Sequence, residues 1–406
     1  MPKNQNCSNS LIKESSPASI WVSVAELSGD MHAADLAASL KDLIPTLTLR
    51  GIAGPCLREL NNTSKHSLET LPAEHKPAFT ELYGIEQLSV MGGTEVLSAL
   101  PRIFNILAGI KKDMQTKRPD AVVLVDAPDF NFRVAKIAHK LGIPVYYYIS
   151  PKIWAWRSNR AWFLKKFVRK VICILPFERE FYAKFGIDAP YVGNPLVSAM
   201  NLPELDKIKP VPGRIGLMPG SRKKEISSLM PLFAQAAKLI LQAQPNVSFH
   251  CIQAPNISEE MLRTFWPAEI PLNLQPPQNR YAFIKSCDCM LAASGTATLE
   301  CALVGTPTVV AYRLSAISAF LLRKIIQVKY VSLPNLILNQ EIFPELLQEK
   351  AKPELMALHT LNWLQNRESK QKVEQGLAQI RTLLGTKSAP KEAAHIILND
   401  YQSIKS

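Results

Sequence analysis

Leu291-Ala-Ala-Ser-Gly-Thr-Ala-Thr-Leu-Glu300-Cys-Ala-Leu-Val-Gly-Thr-Pro-Thr-Val-Val310 reads as a buried strand, a turn of small residues, a helix bearing one acid, and a second strand. Ser294, Gly295 and Thr296 lack bulk, so an anion can approach their backbone N–H groups where a helix dipole also favours negative charge. Glu300 falls about one turn inside that helix. A carboxylate there can accept two hydrogen bonds from vicinal ribose hydroxyls. Gly305 and Pro307 end the helix and start the next strand. The segment suits a nucleotide diphosphate, and equally an ordinary turn with a surface Glu.

The same rhythm recurs on both sides of it. Ile20–Ala25, Thr48–Ile52, Ala121–Val125, Val145–Ile149 and Val171–Ile174 are apolar enough for buried parallel strands, with amphipathic segments between them. A second series, Arg214–Met218, Val247–Ile252, Cys289–Ala292 and Thr308–Val310, follows the Pro- and Lys-rich passage 202–213. The pattern predicts an α/β protein with helices on both faces of its sheets and a domain boundary near 195–213. We divide the chain into a flexible polar tail (1–18), an N-terminal domain (19–195), a C-terminal domain (196–350) and a helical C-terminal segment (351–406) that packs across a domain or a partner.

Composition narrows the class. The 406 residues are 47% hydrophobic, enough for a core in each domain. No run of about eighteen apolar residues offers a membrane span, and the polar N-terminus has no signal-peptide core. The seven cysteines are scattered, which fits a reducing cytoplasm, and no His pair at ligand spacing accompanies Cys287 and Cys289, so no zinc site is expected. A net charge of +13 favours polyanions, anionic membranes or phosphorylated substrates without choosing among them, and no zinc finger, RNP-like strand or basic zipper repeat is present.

Several segments carry candidate chemistry. Val22-Ser-Val-Ala-Glu26-Leu-Ser28-Gly29-Asp30-Met-His32 runs from a strand through a turn into a helix expected at about Met31. Glu26 lies just beyond the strand, where a doubly wound sheet holds ligands, while Ser28 and Asp30 also suit N-caps. Asp126, directly after Ala121–Val125, can take a proton from a hydroxyl or cap the following helix; Asp129 suits the N-cap of Phe132–Lys140. In Met218-Pro-Gly220-Ser221-Arg222-Lys223-Lys224, a strand, a tight turn and a basic helix start make an anion site without Walker spacing. Ser150–Lys170 mixes basic residues with Trp154, Trp156 and Trp162 and contains no acid; Arg157 and Arg160 are its candidate phosphate contacts. The stripe Val96, Leu97, Leu100, Ile103, Phe104 and Leu107, followed by Lys111 and Lys112, reads as core or as a membrane-facing patch, with its helix starting at Pro101.

Taken in order, Glu26-Leu-Ser-Gly-Asp30, Gly51-Ile-Ala-Gly-Pro55, Leu88-Ser-Val-Met-Gly92, Val125-Asp-Ala-Pro-Asp-Phe-Asn131, Ser150-Pro-Lys-Ile-Trp-Ala-Trp-Arg157, Leu175-Pro-Phe-Glu178, Val192-Gly-Asn-Pro-Leu196, Met218-Pro-Gly-Ser-Arg222, Ala293-Ser-Gly-Thr-Ala-Thr-Leu-Glu300 and Tyr330-Val-Ser-Leu-Pro-Asn335 resemble the lipid A disaccharide synthases. The resemblance implies GT-B architecture, two Rossmann-like domains with a cleft between them, and an inverting transfer from UDP-2,3-diacylglucosamine to 2,3-diacylglucosamine 1-phosphate, with no metal and no cofactor. It assigns Asp126 as base, Arg222 to the diphosphate and Glu300 to the ribose. Together with the residue readings above, the expected substrate-binding positions are Glu26, Ser28, Gly29, Asp30, Arg157, Arg160, Gly220, Ser221, Ser294, Gly295, Thr296 and Asn335. The resemblance places the protein on the cytoplasmic face of the inner membrane, without nucleic acid, and leaves a homodimer open. Three features depart from the pattern: a polar insertion at Asn62–Lys76, Cys56 where Arg is common, and Asn194 where His is frequent. The alternatives are a UDP-sugar 2-epimerase of the same architecture and a noncatalytic, membrane-associated nucleotide-sugar binder.

Overall fold

The computed structural model describes residues 18–66, 78–88, 95–313 and 328–405. Outside them lie the expected tail up to residue 17, most of the Asn62–Lys76 insertion and residues 89–92 of one motif; the side chains of Val96 and Leu97 are likewise not described. The chain forms two compact units, Met1–Pro195 with Lys387–Ser406, and Leu196–Thr386.

Each unit is built on one six-stranded parallel sheet. In the first, β1 (Ser19–Ser23), β2 (Thr48–Ala53), β3 (Thr80–Gly84), β4 (Ala121–Val125), β5 (Val145–Tyr148) and β6 (Lys170–Ile172) lie in the order β3-β2-β1-β4-β5-β6. In the second, β7 (Arg214–Met218), β8 (Ser248–Ile252), β9 (Leu272–Gln275), β10 (Cys289–Ala293), β11 (Thr308–Tyr312) and β12 (Glu345–Leu347) lie in the order β12-β11-β10-β7-β8-β9. Both are the doubly wound order whose direction reverses between the first strand and the fourth. That reversal opens a crevice at the carboxyl ends of β1 and β4, and of β7 and β10.

β4 and β10 are buried along their whole length, which is why they read as unbroken apolar runs. The sequence reading omits β3, β9 and β12, and these are edge strands. β3 buries only Gly84 and β9 only Leu272, so neither shows an apolar run.

The helix Lys223–Ala243 is long and apolar enough to cross a bilayer by composition. It buries Ile226, Leu229, Met230 and Phe233 instead, as a core helix does. The segment 351–406 does not act as one piece. Pro353–Gln365 and Arg367–Leu384 belong to the second unit, whereas Ala389–Lys405 belongs to the first. There Asp400 accepts from Tyr146, and the Tyr401 hydroxyl donates to Asp120.

Three local expectations are corrected. The helix after β1 starts at Leu27 rather than Met31, with Glu26 as its extended N-cap residue. Asp129 lies in the first turn of Pro128–Lys140, because Ala127 takes the N-cap position and Pro128 the first helical one. Pro101 is inside the helix Glu95–Thr116, not at its start. That helix sends Ile106, Leu107, Ile110 and Met114 into the core and leaves Phe104 60% exposed. Leu107 is therefore core, not patch.

Candidate active site

In the first unit the candidates gather at the switch point. Glu26 and Ser28 stand exposed beyond β1, and Asp126 is half-buried beyond the adjacent β4. Gly29 and Asp30 are buried behind them. Asp30 plays a structural part. Its carboxylate accepts from the backbone N–H groups of Gly54 (2.8 Å), Cys56 (2.7 Å) and Leu57 (3.3 Å), which start the helix Pro55–His66. A Cβ on Gly54 would stand 2.6 Å from that carboxylate, so the Gly51–Pro55 motif and Asp30 form one device. Substrate contact by the Asp30 side chain is thereby corrected to support of the neighbouring turn.

Asp126 sits on an unusual backbone. It and Ala127 have consecutive positive φ values of 49° and 45°. Left-handed conformation in residues bearing a Cβ costs on the order of 1–3 kcal/mol each and concentrates at functional sites. The Asp126 carbonyl accepts from the Tyr147 hydroxyl at 2.6 Å and from the Asn131 amide at 2.8 Å. Neither partner was among the sequence-level candidates, although Asn131 closes the Asp-Ala-Pro-Asp-Phe-Asn motif.

His32, also passed over, is half-buried one turn into Leu27–Leu43, and its Nδ1 has no hydrogen-bond partner. Burial lowers its pKa, while the charge of nearby Asp126 pulls the other way. The imidazole is therefore biased towards the neutral form beside the candidate base.

Arg157 and Arg160 converge on Asp129, at 3.8 and 2.9 Å. Arg157 also stacks on Trp156 with 4.1 Å to the ring centroid. Asp129 is 77% exposed, so these pairs are weak and both cations remain open to an incoming phosphate. The segment that carries them is pinned from beneath. Buried Glu178 accepts from Ser150 Oγ (2.9 Å), Trp154 Nε1 (3.0 Å) and the backbone N–H groups of Ile174 (3.2 Å) and Leu175 (3.0 Å). Burial pushes its pKa up to about 7 against those four donors.

In the second unit the turn after β7 has Gly220 at φ 114°, a conformation that suits glycine, with a would-be Cβ 2.4 Å from a Glu225 oxygen. Glu225 accepts from the N–H groups of Ser221 (3.0 Å) and Arg222 (3.3 Å), and its other oxygen pairs with Arg222 Nη1 at 2.8 Å. The nest is thus filled by an internal carboxylate. Arg222 itself is 81% exposed.

Beyond adjacent β10, Gly295 and Thr296 are exposed at the start of Thr296–Val304, Ser294 is half-buried, and open space surrounds the place of a Gly295 Cβ. The first N–H groups of a helix have no acceptor within it, which leaves this end ready for an anion. Glu300 is 6% exposed and pairs with Arg280 at 3.1 Å; burial raises its pKa and Arg280 opposes the rise. Arg280, stacked on Tyr281, is a further residue that sequence reading missed. Asn335 is fully buried. Its amide donates to Phe343 O and Glu345 Oε1, and its oxygen accepts from Ile342 and Phe343 N–H, so its capacity is used within the fold. The expected substrate contact by Asn335 becomes support of β12. Among the described residues no group of three or more His, Cys, Asp or Glu is placed to hold a metal.

Matched against known families, residues 20–398 fit the model of lipid-A-disaccharide synthetase. The chain belongs to that family. The lipid-A-disaccharide synthase of Myxococcus xanthus is 36% identical over 393 residues, covering 94% of this chain and 97% of that one. The Nitrosococcus oceani synthase is 36% identical over 380 residues, covering 92% and 94%. Among solved structures, UDP-GlcNAc 2-epimerase from Neisseria meningitidis bound to UDP-GlcNAc matches with a TM-score of 0.57 at 14% identity, covering 96% of this chain and 99% of that one. Acinetobacter baumannii MurG matches with a TM-score of 0.53 at 16% identity, covering 95% and 100%. Those likenesses establish the two-Rossmann architecture of this synthetase family member.

Proposed function

We propose that this chain is a lipid-A-disaccharide synthase: an inverting, UDP-sugar-dependent glycosyltransferase that joins UDP-2,3-diacylglucosamine to 2,3-diacylglucosamine 1-phosphate and releases UDP. Family membership over 20–398 carries the activity. The observation that carries the mechanism is Asp126, half-buried on a left-handed turn at the switch point of the first sheet. Its carboxylate takes the proton from the acceptor's 6-hydroxyl as that oxygen attacks the anomeric carbon of the donor. UDP departs from the opposite face of the sugar. Arg222 and the exposed N-terminus at Gly295–Thr296 neutralise the charge growing on the diphosphate, and Glu300, steadied by Arg280, holds the ribose. Glu26 and Ser28 line the acceptor side, with Arg157 and Arg160 for its 1-phosphate.

The acyl chains of both substrates call for an encounter at a membrane, the cytoplasmic face of the inner one in this reading. Exposed Phe104, with exposed Lys111 about two turns further along the same face, supports the helix Glu95–Thr116 as the element that meets anionic headgroups.

The test is mass spectrometry of products from defined acylated donor and acceptor and, in a parallel incubation, from UDP-GlcNAc. Disaccharide 1-phosphate is expected; conversion of UDP-GlcNAc to its 2-epimer would favour the epimerase, and absence of any turnover would favour a binder. Asp126→Asn should lower kcat at least about 100-fold while leaving UDP affinity within about threefold, since an amide keeps the shape but takes no proton. Near-normal turnover in that variant would remove Asp126 as base.

A further inference from the structure

A proton acceptor is only as good as its placement, and the turn that places Asp126 is one that Asp-Ala does not adopt by preference. Two successive residues with a Cβ are held at φ 49° and 45°, where glycine would be the easy choice. The hold comes from outside the turn. Tyr147, on β5, donates its hydroxyl to the Asp126 carbonyl at 2.6 Å. Asn131, on the following helix, donates to the same carbonyl at 2.8 Å and to the Val125 carbonyl at 3.1 Å. Its oxygen accepts from the Ser23 hydroxyl of β1 at 2.6 Å, which fixes the amide's orientation. Since β1 and β5 flank β4, the turn is gripped from both neighbouring strands. Tyr147, Asn131 and Ser23 are each fully buried, and the Tyr147 ring meets Phe132 edge-on with centroids 6.2 Å apart. Without those bonds nothing opposes relaxation of Asp126 out of the left-handed region, and a change in its φ redirects its Cα–Cβ bond and the carboxylate on it.

We propose that Tyr147, Asn131 and Ser23 are positioning residues for the glycosyl transfer, a buried lock that holds the Asp126 turn left-handed and its carboxylate on the acceptor hydroxyl. The inference rests on the reading of Asp126 as base. A shift of about 1 Å in a reacting group can cost about 100-fold, so loss of one member of the lock should appear in kcat rather than in substrate binding.

The experiment is a set of five variants assayed with defined acylated substrates, alongside thermal melting and UDP titration. Tyr147→Phe should lower kcat about 10- to 100-fold with KM values within about threefold. Adding Ala127→Gly to it should recover at least about threefold of that loss, because glycine holds a positive φ without help. In an Asp126→Asn background Tyr147→Phe should cost nothing more, the two changes acting through one group. Should Tyr147→Phe not fold, Ser23→Ala, which deletes only the hydroxyl that orients Asn131, carries the same expectation in smaller measure. Full kcat in a folded Tyr147→Phe, or a further loss in the Asp126→Asn background, overturns the lock while leaving Asp126 as base. Near-normal turnover in Asp126→Asn overturns the base and the lock with it.

Discussion

Among single residues, the donor side turns on how Arg222 is held. Its guanidinium is exposed and reaches Glu225 with one nitrogen, which leaves most of its fork free for a diphosphate. Arg222→Ala should therefore reduce kcat/KM by about 2–4 kcal/mol in transition-state stabilisation and weaken UDP binding, as read by steady-state kinetics and calorimetry. Lys223→Ala, next to it at the exposed helix start, should do much less; equal effects would mean that diffuse positive potential binds the donor. The sequence by itself puts Asp126 at a strand end, Arg222 at a helix start and Glu300 about one turn inside its helix, as the structure has them. It was blind to Arg280 and Tyr147, because each reaches its partner from a different element and spacing along the chain says nothing of that meeting.

Among the elements, the segment Ser150–Arg157 depends on a single buried carboxylate beneath it. The raised pKa of Glu178, about 7 in the fold against an ordinary 4.5, means that the native state keeps a proton that the unfolded chain has already released. Stability from this group is complete below about pH 4.5 and is lost as pH rises through about 7, a change of roughly 3 kcal/mol. Denaturant melts between pH 5 and pH 8 should show that fall, and Glu178→Gln should flatten it; parallel curves for the two proteins would show that Glu178 does not titrate in this range. The helix Glu95–Thr116 divides in the same way between burial and exposure. Leu107→Ser should cost about 2–4 kcal/mol of folding stability, since Leu107 is 8% exposed. Phe104→Ser should leave the melt unchanged and weaken sedimentation with anionic vesicles. Undiminished vesicle binding in the second variant would remove this face from the membrane reading.

Across the molecule, the last helix ties the chain's end back to its first unit. Ala389, Ala393, Ala394, Ile397, Leu398 and Tyr401 are buried in the same core as β1, β4 and β5. Truncation after Thr386 should therefore destabilise the first unit, seen as loss of its thermal transition, while the second unit, which ends there, keeps its own. Simultaneous loss of both transitions would contradict that independence. Two βα series, the buried central strands and the acids and small residues at their carboxyl ends are legible along the chain, because burial and tight turns restrict residue type locally. The remainder exists only in the folded molecule. Edge strands β3, β9 and β12 gain their partners from one side alone and leave little apolar signature. Asp30 and Asn335 look like ligand contacts until the fold engages them, Asp30 with backbone N–H groups 24 to 27 residues away and Asn335 with backbone groups 7 and 8 residues away and the Glu345 carboxylate. The left-handed turn under Asp126 is not dictated by the residues within it: Asp tolerates that conformation and Ala disfavours it, and a tyrosine from one neighbouring strand and a serine-anchored asparagine beside the other hold it there.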